Sequence, residues 1–109
     1  MEPLARLGRA TVDVLAVLLD SGEPRWGLEL IKSTGRPSGT IYPLLDRLER
    51  AGWVTSHWDE DVSRPGPRRR MYQLTPDGAA AARDVLHQAA RRPARAPRRW
   101  AAPGAGVAG

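Results

Sequence analysis

A stripe of large apolar side chains in the middle of the chain most limits how it can fold. Its members follow the i, i+3, i+4, i+7 spacing of one helix face: Ile41, Leu44, Leu45 and Leu48. Ser38 is the predicted N-cap, and Gly52 supplies the residue that commonly follows a helix end. Pro43 lacks a backbone donor, so it must lie near the helix start, and we expect either a tightened first turn or a cap at Thr40 instead. Such a helix is stable only if other elements cover its apolar face.

Further helices and strands surround this central helix. A first helix carries Leu7, Thr11, Val14, Leu15 and Leu18 at helical spacing and stops at Ser21-Gly22. A short second helix is predicted from about Trp26 to Thr34, with Leu28 and Ile31 inward. Residues 53–58 and 71–74 read as two strands, and the acids and prolines of residues 59–69 predict an irregular loop between them. Thr75-Pro76-Asp77 begins a last helix, with a cap hydroxyl, a first-turn proline and an acid.

This order of elements predicts an α+β, mainly α fold of the winged helix-turn-helix type, with three helices, a two-stranded β-wing and a C-terminal dimerisation helix. We assign residues 1–74 to the winged helix-turn-helix and residues 75–92 to the dimerisation helix. Residues 93–109 are rich in proline, alanine, glycine and arginine, and we expect them to be disordered.

The composition bounds the function. A chain of 109 residues fits one domain, and without cysteine it has neither disulfides nor thiolate sites. The apolar stretches are too short to cross a membrane. Asp13 interrupts the most apolar N-terminal run, which argues against a signal peptide. We therefore expect a cytoplasmic protein with no membrane contact. Nucleophile elbows, phosphate-cradling glycine loops and converging acid–base pairs are missing from the sequence, so we expect no enzyme and no cofactor.

Metal binding is also not expected. The consecutive acids Asp59-Glu60-Asp61 cannot converge on one ion without other loop ligands, and a solvated loop tip explains them better. His57 and His87 have no partner at ligand spacing.

Positive charge is concentrated in two segments. The net formal charge is +5, but residues 1–63 contain seven basic and ten acidic residues. Residues 64–72 contain four arginines, residues 91–109 contain five, and neither segment contains an acid. Arginine is suited to bidentate phosphate and guanine contacts. The clustering indicates a polyanionic partner.

The face of the central helix opposite the leucines begins with small or flat side chains. Helical geometry places on it Gly39, Thr40, Pro43, Arg47 and Arg50, with Tyr42 at its flank. This end of the helix can approach base edges, whereas Asp46 and Glu49 would be unfavourable near phosphate. Only the first two turns should therefore read double-stranded DNA, and Asp46 can pair with Arg50 at i, i+4.

A winged helix that binds RNA or docks to a protein is the alternative, because fold alone does not fix function. A docking domain would expose a hydrophobic or acidic face at the start of the central helix, which this sequence does not show. An RNA-binding version would display stacking aromatics on its sheet, and the two tryptophans of the hairpin weakly permit that.

Three segments resemble the signature of the PadR family of bacterial transcriptional regulators, in its compact branch. They are Trp26–Leu30 (WGLEL), Gly39–Val54 (GTIYPLLDRLERAGWV) and Gly66–Gly78 (GPRRRMYQLTPDG). The resemblance covers roughly residues 7 to 90. It implies a homodimer, usually a repressor, that binds an inverted repeat and often responds to a small-molecule inducer.

The resemblance also assigns residues to roles. It places DNA contacts on Ser38, Gly39, Thr40, Tyr42 and Pro43 and backbone contacts on Arg68 and Arg69, and we add Arg47 from its place on the helix face. It places the dimer contacts on the first and last helices. There the candidate residues are the apolar ones beyond the core stripe: Val12, Ala16, Leu19, Ala82, Val85, Leu86 and Ala89.

Overall fold

The computed structural model describes residues 1, 7–61, 63 and 65–91 as four helices and one small sheet. The helices are α1 (Arg9–Ser21), α2 (Gly27–Thr34), α3 (Ser38–Arg50) and α4 (Pro76–Arg91), and the strands are β1 (Arg25–Trp26), β2 (Val54–Trp58) and β3 (Arg70–Leu74). This confirms the predicted α+β, mainly α winged helix-turn-helix. The tail predicted for residues 93–109 lies outside the described residues.

The apolar face of α3 is the centre of the core. Its four large side chains are at most 3% exposed and pack with α1, α2 and the start of β2. From α2 the fully buried side chain is Leu30, whereas the predicted inward residue Leu28 is only half-buried. The other predicted inward residue of α2, Ile31, is half-buried and packs against the core. The predicted place of Leu7 on the apolar stripe of the first helix is wrong, because Leu7 lies before α1 and is exposed.

The strand β1 corrects the expectation of a two-stranded wing. The sheet has three antiparallel strands in the order β1-β3-β2, and Trp26 pairs with Met71 of β3. In the hairpin, Ser56 is opposite Tyr72 and Trp58 is opposite Arg70. A strand of two residues has no alternation to detect, so the pattern of apolar residues gave no sign of it.

The two ends of α3 differ from each other in how they are held. The expected N-cap at Ser38 is wrong, since Ser38 is already helical and Pro37 precedes it. The carbonyl of Pro37 accepts hydrogen bonds from the backbone N–H groups of Thr40 at 3.0 Å and Ile41 at 3.1 Å, which is the tightened turn expected near Pro43. At the other end, Gly52 has φ +84° and follows the helix as predicted.

Thr75 joins the end of α3 to the start of α4. Its hydroxyl donates to the Gly52 carbonyl at 2.9 Å and accepts from the Gly78 N–H at 2.8 Å, which confirms the predicted cap. Its backbone N–H donates to the Trp53 carbonyl at 3.0 Å. The first turn of α4 therefore lies directly against the chain as it leaves α3.

An ion pair links α1 to the turn between α2 and α3. The Nη2 and Nε atoms of Arg36 donate to one carboxylate oxygen of Asp13 at 2.8 and 3.0 Å. Both side chains are about one-third to one-half exposed, so the pair is screened and its contribution to stability is small. It holds the residues just before α3 against α1.

Among the described glycines, Gly78 leaves least room for a side chain, which predicts a severe effect of Gly78→Ala. A Cβ atom at Gly78 would lie 2.0 Å from the carbonyl oxygen of Trp53, which is backbone and cannot rotate away. We expect a loss of about 2 kcal/mol or more in the free energy of unfolding, measured by urea denaturation.

Gly39→Ala is the matched control for stability. A Cβ atom there meets nothing within 4 Å, so this variant should be as stable as the parent or up to about 1 kcal/mol more stable. Equal urea midpoints for Gly78→Ala and the parent would contradict the packing described here.

Candidate nucleic-acid interface

The start of α3 presents a narrow, uncharged edge to solvent. Ser38, Gly39, Thr40 and Pro43 are all exposed, and Tyr42 is 42% exposed. Arg47 is exposed one turn further along. The buried leucines occupy the opposite face, so the structure brings the predicted reading residues together on one outward surface. No side chain here carries charge until Asp46 and Arg47.

The two acids of α3 are each engaged by a neighbour. Asp46 forms an ion pair with Arg50, as its i, i+4 spacing predicted. Glu49 is half-buried, and its Oε2 atom accepts a hydrogen bond of 2.6 Å from the hydroxyl of Ser56 in β2. This second bond ties the last turn of α3 to the sheet. Neither carboxylate lies at the uncharged end of the helix.

The wing arginines lie on tryptophan rings. The guanidinium carbon of Arg69 is 4.1 Å from the ring centroid of Trp26, and that of Arg70 is 4.9 Å from the centroid of Trp58. Arg68 is exposed and lies at 5.9 Å from the Trp58 ring. Such cation–π contacts orient a guanidinium without neutralising it. The wing base therefore keeps its positive charge while its side chains are held in place.

Tyr42 lies against the first residue of α2. A Cβ atom built on Gly27 would be 2.8 Å from Cε1 of Tyr42 and 3.1 Å from its hydroxyl oxygen. The inner edge of the tyrosine ring therefore rests on the space that this glycine leaves open. The sequence analysis singled out the WGLEL segment but did not predict that Trp26 and Gly27 contact the candidate DNA-binding residues Arg69 and Tyr42.

Tyr72 lies in the middle of β3, the central strand of the sheet, and packs against the core. Burial raises the pKa of its hydroxyl, and the charges of Glu49 and Tyr42 act in the same direction. The positive charge of Arg70, which also hydrogen-bonds the hydroxyl, opposes the shift. The neutral phenol is thus the form that this position in the sheet favours.

This raised pKa predicts an alkaline limit to stability. Because the Tyr72 hydroxyl ionises more readily in the unfolded chain, its contribution is complete below about pH 10 and is lost as the pH rises further. Tyr72→Phe removes the titrating group. Between about pH 8 and pH 11, urea denaturation should show a smaller loss of stability for Tyr72→Phe than for the parent. An equal loss in both proteins would contradict the shift.

The candidate dimerisation residues lie on α1 and α4, which pack against each other within the chain. Ala82 is completely buried there and offers no surface to a partner. Ala89 is exposed, and the rest are half-buried: Val12, Ala16, Leu19, Val85 and Leu86. A shallow groove between the two helices is lined by Ala16, Val17, Leu19, Asp20 and Leu86.

Other site types find no support in the described part of the chain. Among those residues, no three histidines, aspartates or glutamates are grouped so that they could hold a metal ion. His57 and His87 are both exposed. Within the same residues, no helix is long and apolar enough to cross a membrane.

Solved structures share this architecture. The circadian clock associated protein Pex from Anabaena is 28% identical, with a TM-score of 0.61, and the match covers 72% of each chain. The transcriptional repressor CouR, solved bound to a 23-mer DNA duplex, has a TM-score of 0.66 at 24% identity, covering 80% of this chain and 58% of CouR. At that identity, the likeness to CouR shows the fold alone.

A solved structure and a family profile point to the same family. A PadR family transcriptional regulator from Eggerthella lenta DSM 2243 is 36% identical, with a TM-score of 0.56, and the match covers 71% of this chain and 70% of that one. No curated protein sequence matched the chain. The profile of the transcriptional regulator PadR-like family matches residues 14–84, which include α2, α3 and the whole wing. This chain therefore belongs to the PadR-like family of transcriptional regulators.

Proposed function

We propose that this protein is a homodimeric repressor that binds an inverted-repeat operator in double-stranded DNA. The observation that carries the proposal is the uncharged, exposed start of α3 beside a wing whose arginines are held on tryptophan rings. In this arrangement α3 enters the major groove and the wing lies over the phosphate backbone. Binding to the chromosome implies a cytoplasmic location, and release by a small-molecule inducer is part of the same proposal.

The start of α3 suits base reading because small side chains let the helix backbone come close to the floor of the groove. Thr40 offers a methyl group and a hydroxyl to thymine methyls and base edges, and Tyr42 offers an aromatic edge and a hydroxyl. Ser38 and Arg47 flank these two and suit the phosphates on either side. In this proposal, Thr40 and Tyr42 supply specificity.

The wing suits backbone binding because its charge is local and oriented. A guanidinium held over an indole ring keeps its positive charge and its N–H donors for a phosphate acceptor. The same contacts disfavour the RNA-binding alternative. Trp26 and Trp58 each have an arginine over the ring, so an unpaired base would compete with that arginine for the same ring face.

A paired titration tests the roles of Tyr42 and Arg69. After selection of a cognate duplex from a randomised pool, Tyr42→Ala should lose about 1–3 kcal/mol of binding free energy on it and little on scrambled DNA. Arg69→Ala should weaken binding to both duplexes by similar factors. It should also lower the slope of log affinity against log salt by about 0.9 per chain, because one phosphate contact is lost.

The measurement is fluorescence anisotropy of labelled duplexes at several salt concentrations, with single-stranded RNA as a third ligand. Arg83→Ala, an exposed arginine on α4, is the control for simple loss of charge. Equal losses for Tyr42→Ala on both duplexes, or tighter binding of the parent to RNA than to duplex DNA, would contradict the proposal.

Dimerisation is proposed through the outer faces of α1 and α4. The half-buried apolar side chains there border the groove described above, and a second copy of the same surface would cover them. Two copies related by a two-fold axis would place two reading helices on one face, which matches an inverted repeat.

Leu86→Asp tests this surface. Leu86 lines the groove and is half-buried, so a carboxylate there would be desolvated in a dimer but hydrated in a monomer. We expect sedimentation velocity to show a dimer for the parent and a monomer for the variant, with much weaker operator binding. Asp84→Ala, at an exposed α4 position, should remain dimeric. A monomeric parent at micromolar concentration would refute the assignment.

A further inference from the structure

Two consecutive residues, Trp26 and Gly27, touch both parts of the proposed DNA-binding surface. Trp26 ends β1 and its ring carries the guanidinium of Arg69 from the wing. Gly27 begins α2 and leaves the space that the ring of Tyr42 from α3 occupies. The wing and the reading helix are distant in the chain, and this junction meets one side chain from each.

The junction is well held. The Trp26 backbone is paired with Met71 of β3, and its N–H donates to a carboxylate oxygen of Glu29 at 2.9 Å. The other oxygen of Glu29 lies 3.6 Å from the guanidinium of Arg25. A strand pairing, a hydrogen bond and an ion pair thus hold two residues at the start of α2. The junction is a fixed reference against which other side chains pack.

Glycine at position 27 is needed for the side chain that lies on it. Its φ is outside the left-handed region, so its backbone conformation suits any residue. It is buried, and the three atoms nearest to an added Cβ all belong to the ring or hydroxyl of Tyr42. A methyl group at this place would come within 2.8 Å of the far end of the Tyr42 side chain, which can rotate away. The fold can accept alanine here, but Tyr42 cannot then keep its position.

Trp26 plays the corresponding part for the wing. The 4.1 Å separation between its ring centroid and the Arg69 guanidinium is the shortest of the cation–π contacts among the described residues. Arg69 is half-buried, whereas Arg68, which lies further from its ring, is exposed. The ring therefore limits where the Arg69 guanidinium can be.

We propose that the Trp26–Gly27 junction is a positioning element that sets the reading tyrosine and the wing arginine relative to each other. It rests on the proposed function, in which Tyr42 and Arg69 contact DNA. Neither junction residue needs to touch DNA in this proposal. The two residues affect different properties of DNA binding. Gly27 affects discrimination between DNA sequences through Tyr42, and Trp26 affects the affinity for all DNA through Arg69.

The test of Gly27 is a double-mutant cycle with Tyr42. Gly27→Ala should lower affinity for the selected cognate duplex about tenfold and change affinity for scrambled DNA by less than about twofold. In a Tyr42→Ala background, the same substitution should have no further effect. Thermal unfolding should be unchanged, and NMR of the unbound protein should show shifted Tyr42 ring resonances. Gly8→Ala, where a Cβ atom meets nothing within 4 Å, is the matched control and should bind like the parent.

The test of Trp26 uses a pair of variants. Trp26→Leu should weaken binding to cognate and scrambled duplexes alike by roughly two- to fivefold and lower the salt slope, as loss of one oriented guanidinium requires. Trp26→Phe retains an aromatic face and should restore most of the affinity. A purely structural role would instead lower the melting temperature without this aromatic rescue.

The outcomes separate the junction from the proposed function. If Tyr42→Ala reduces discrimination but Gly27→Ala does not, the positioning proposal is overturned and the function stands. A second outcome is that Gly27→Ala shifts the Tyr42 resonances while neither Gly27→Ala nor Tyr42→Ala changes discrimination between cognate and scrambled DNA. In that case the junction positions the Tyr42 ring, but the proposed role of Tyr42 in reading DNA is wrong. An equal loss for Gly27→Ala with and without Tyr42 would also overturn the proposal.

Discussion

Burial of the apolar face of α3 is the constraint on which the rest of the molecule depends. The four large side chains on that face are almost fully buried, and they supply much of the transfer free energy in a core this small. Because a helix is rigid, the burial of one face determines which residues the opposite face exposes. The start of α3, which we propose reads DNA, is therefore exposed as a consequence of packing, and α1, α2 and β2 cover the leucines on the other face.

The ends of α3 transmit this constraint to the wing and to α4. Gly52 reverses the chain directly after the helix, so β2 starts beside the last turn, and the Ser56–Glu49 hydrogen bond keeps it there. Thr75 then attaches the start of α4 to the same turn. The wing, α3 and the first turn of α4 therefore meet at the residues that follow α3. A change at Gly78 or Thr75 should thus affect all three.

Charged side chains in this protein are held in position by aromatic rings as well as by ion pairs. Acids that would repel phosphate are engaged by Arg50 and Ser56, whereas the wing arginines are held by tryptophans. An arginine paired with a carboxylate would have lost its attraction for a polyanion, and an arginine on an indole ring has not. The local charge of the wing, rather than the net charge, is what suits it to DNA.

The sequence by itself determined the elements whose signals are local. The leucine stripe of α3, the glycine at position 52, the Thr75 cap and the irregular segment of residues 59–69 were all predicted, because periodicity and capping act between residues a few positions apart. The exposed reading edge followed from the same periodicity. The family resemblance added which of those exposed residues matter.

Tertiary structure alone decided which distant residues meet. The strand β1 is too short to have a pattern, yet it pairs with β3, and in α2 the fully buried residue is Leu30 rather than Leu28. The contacts of Tyr42 with Gly27 and of Arg69 with Trp26 join residues far apart in the chain, which no local spacing encodes. Ala82 is part of the core because α4 packs on α1. Such contacts depend on how whole helices and strands pack, and this packing forms only when the other elements cover the apolar face of α3.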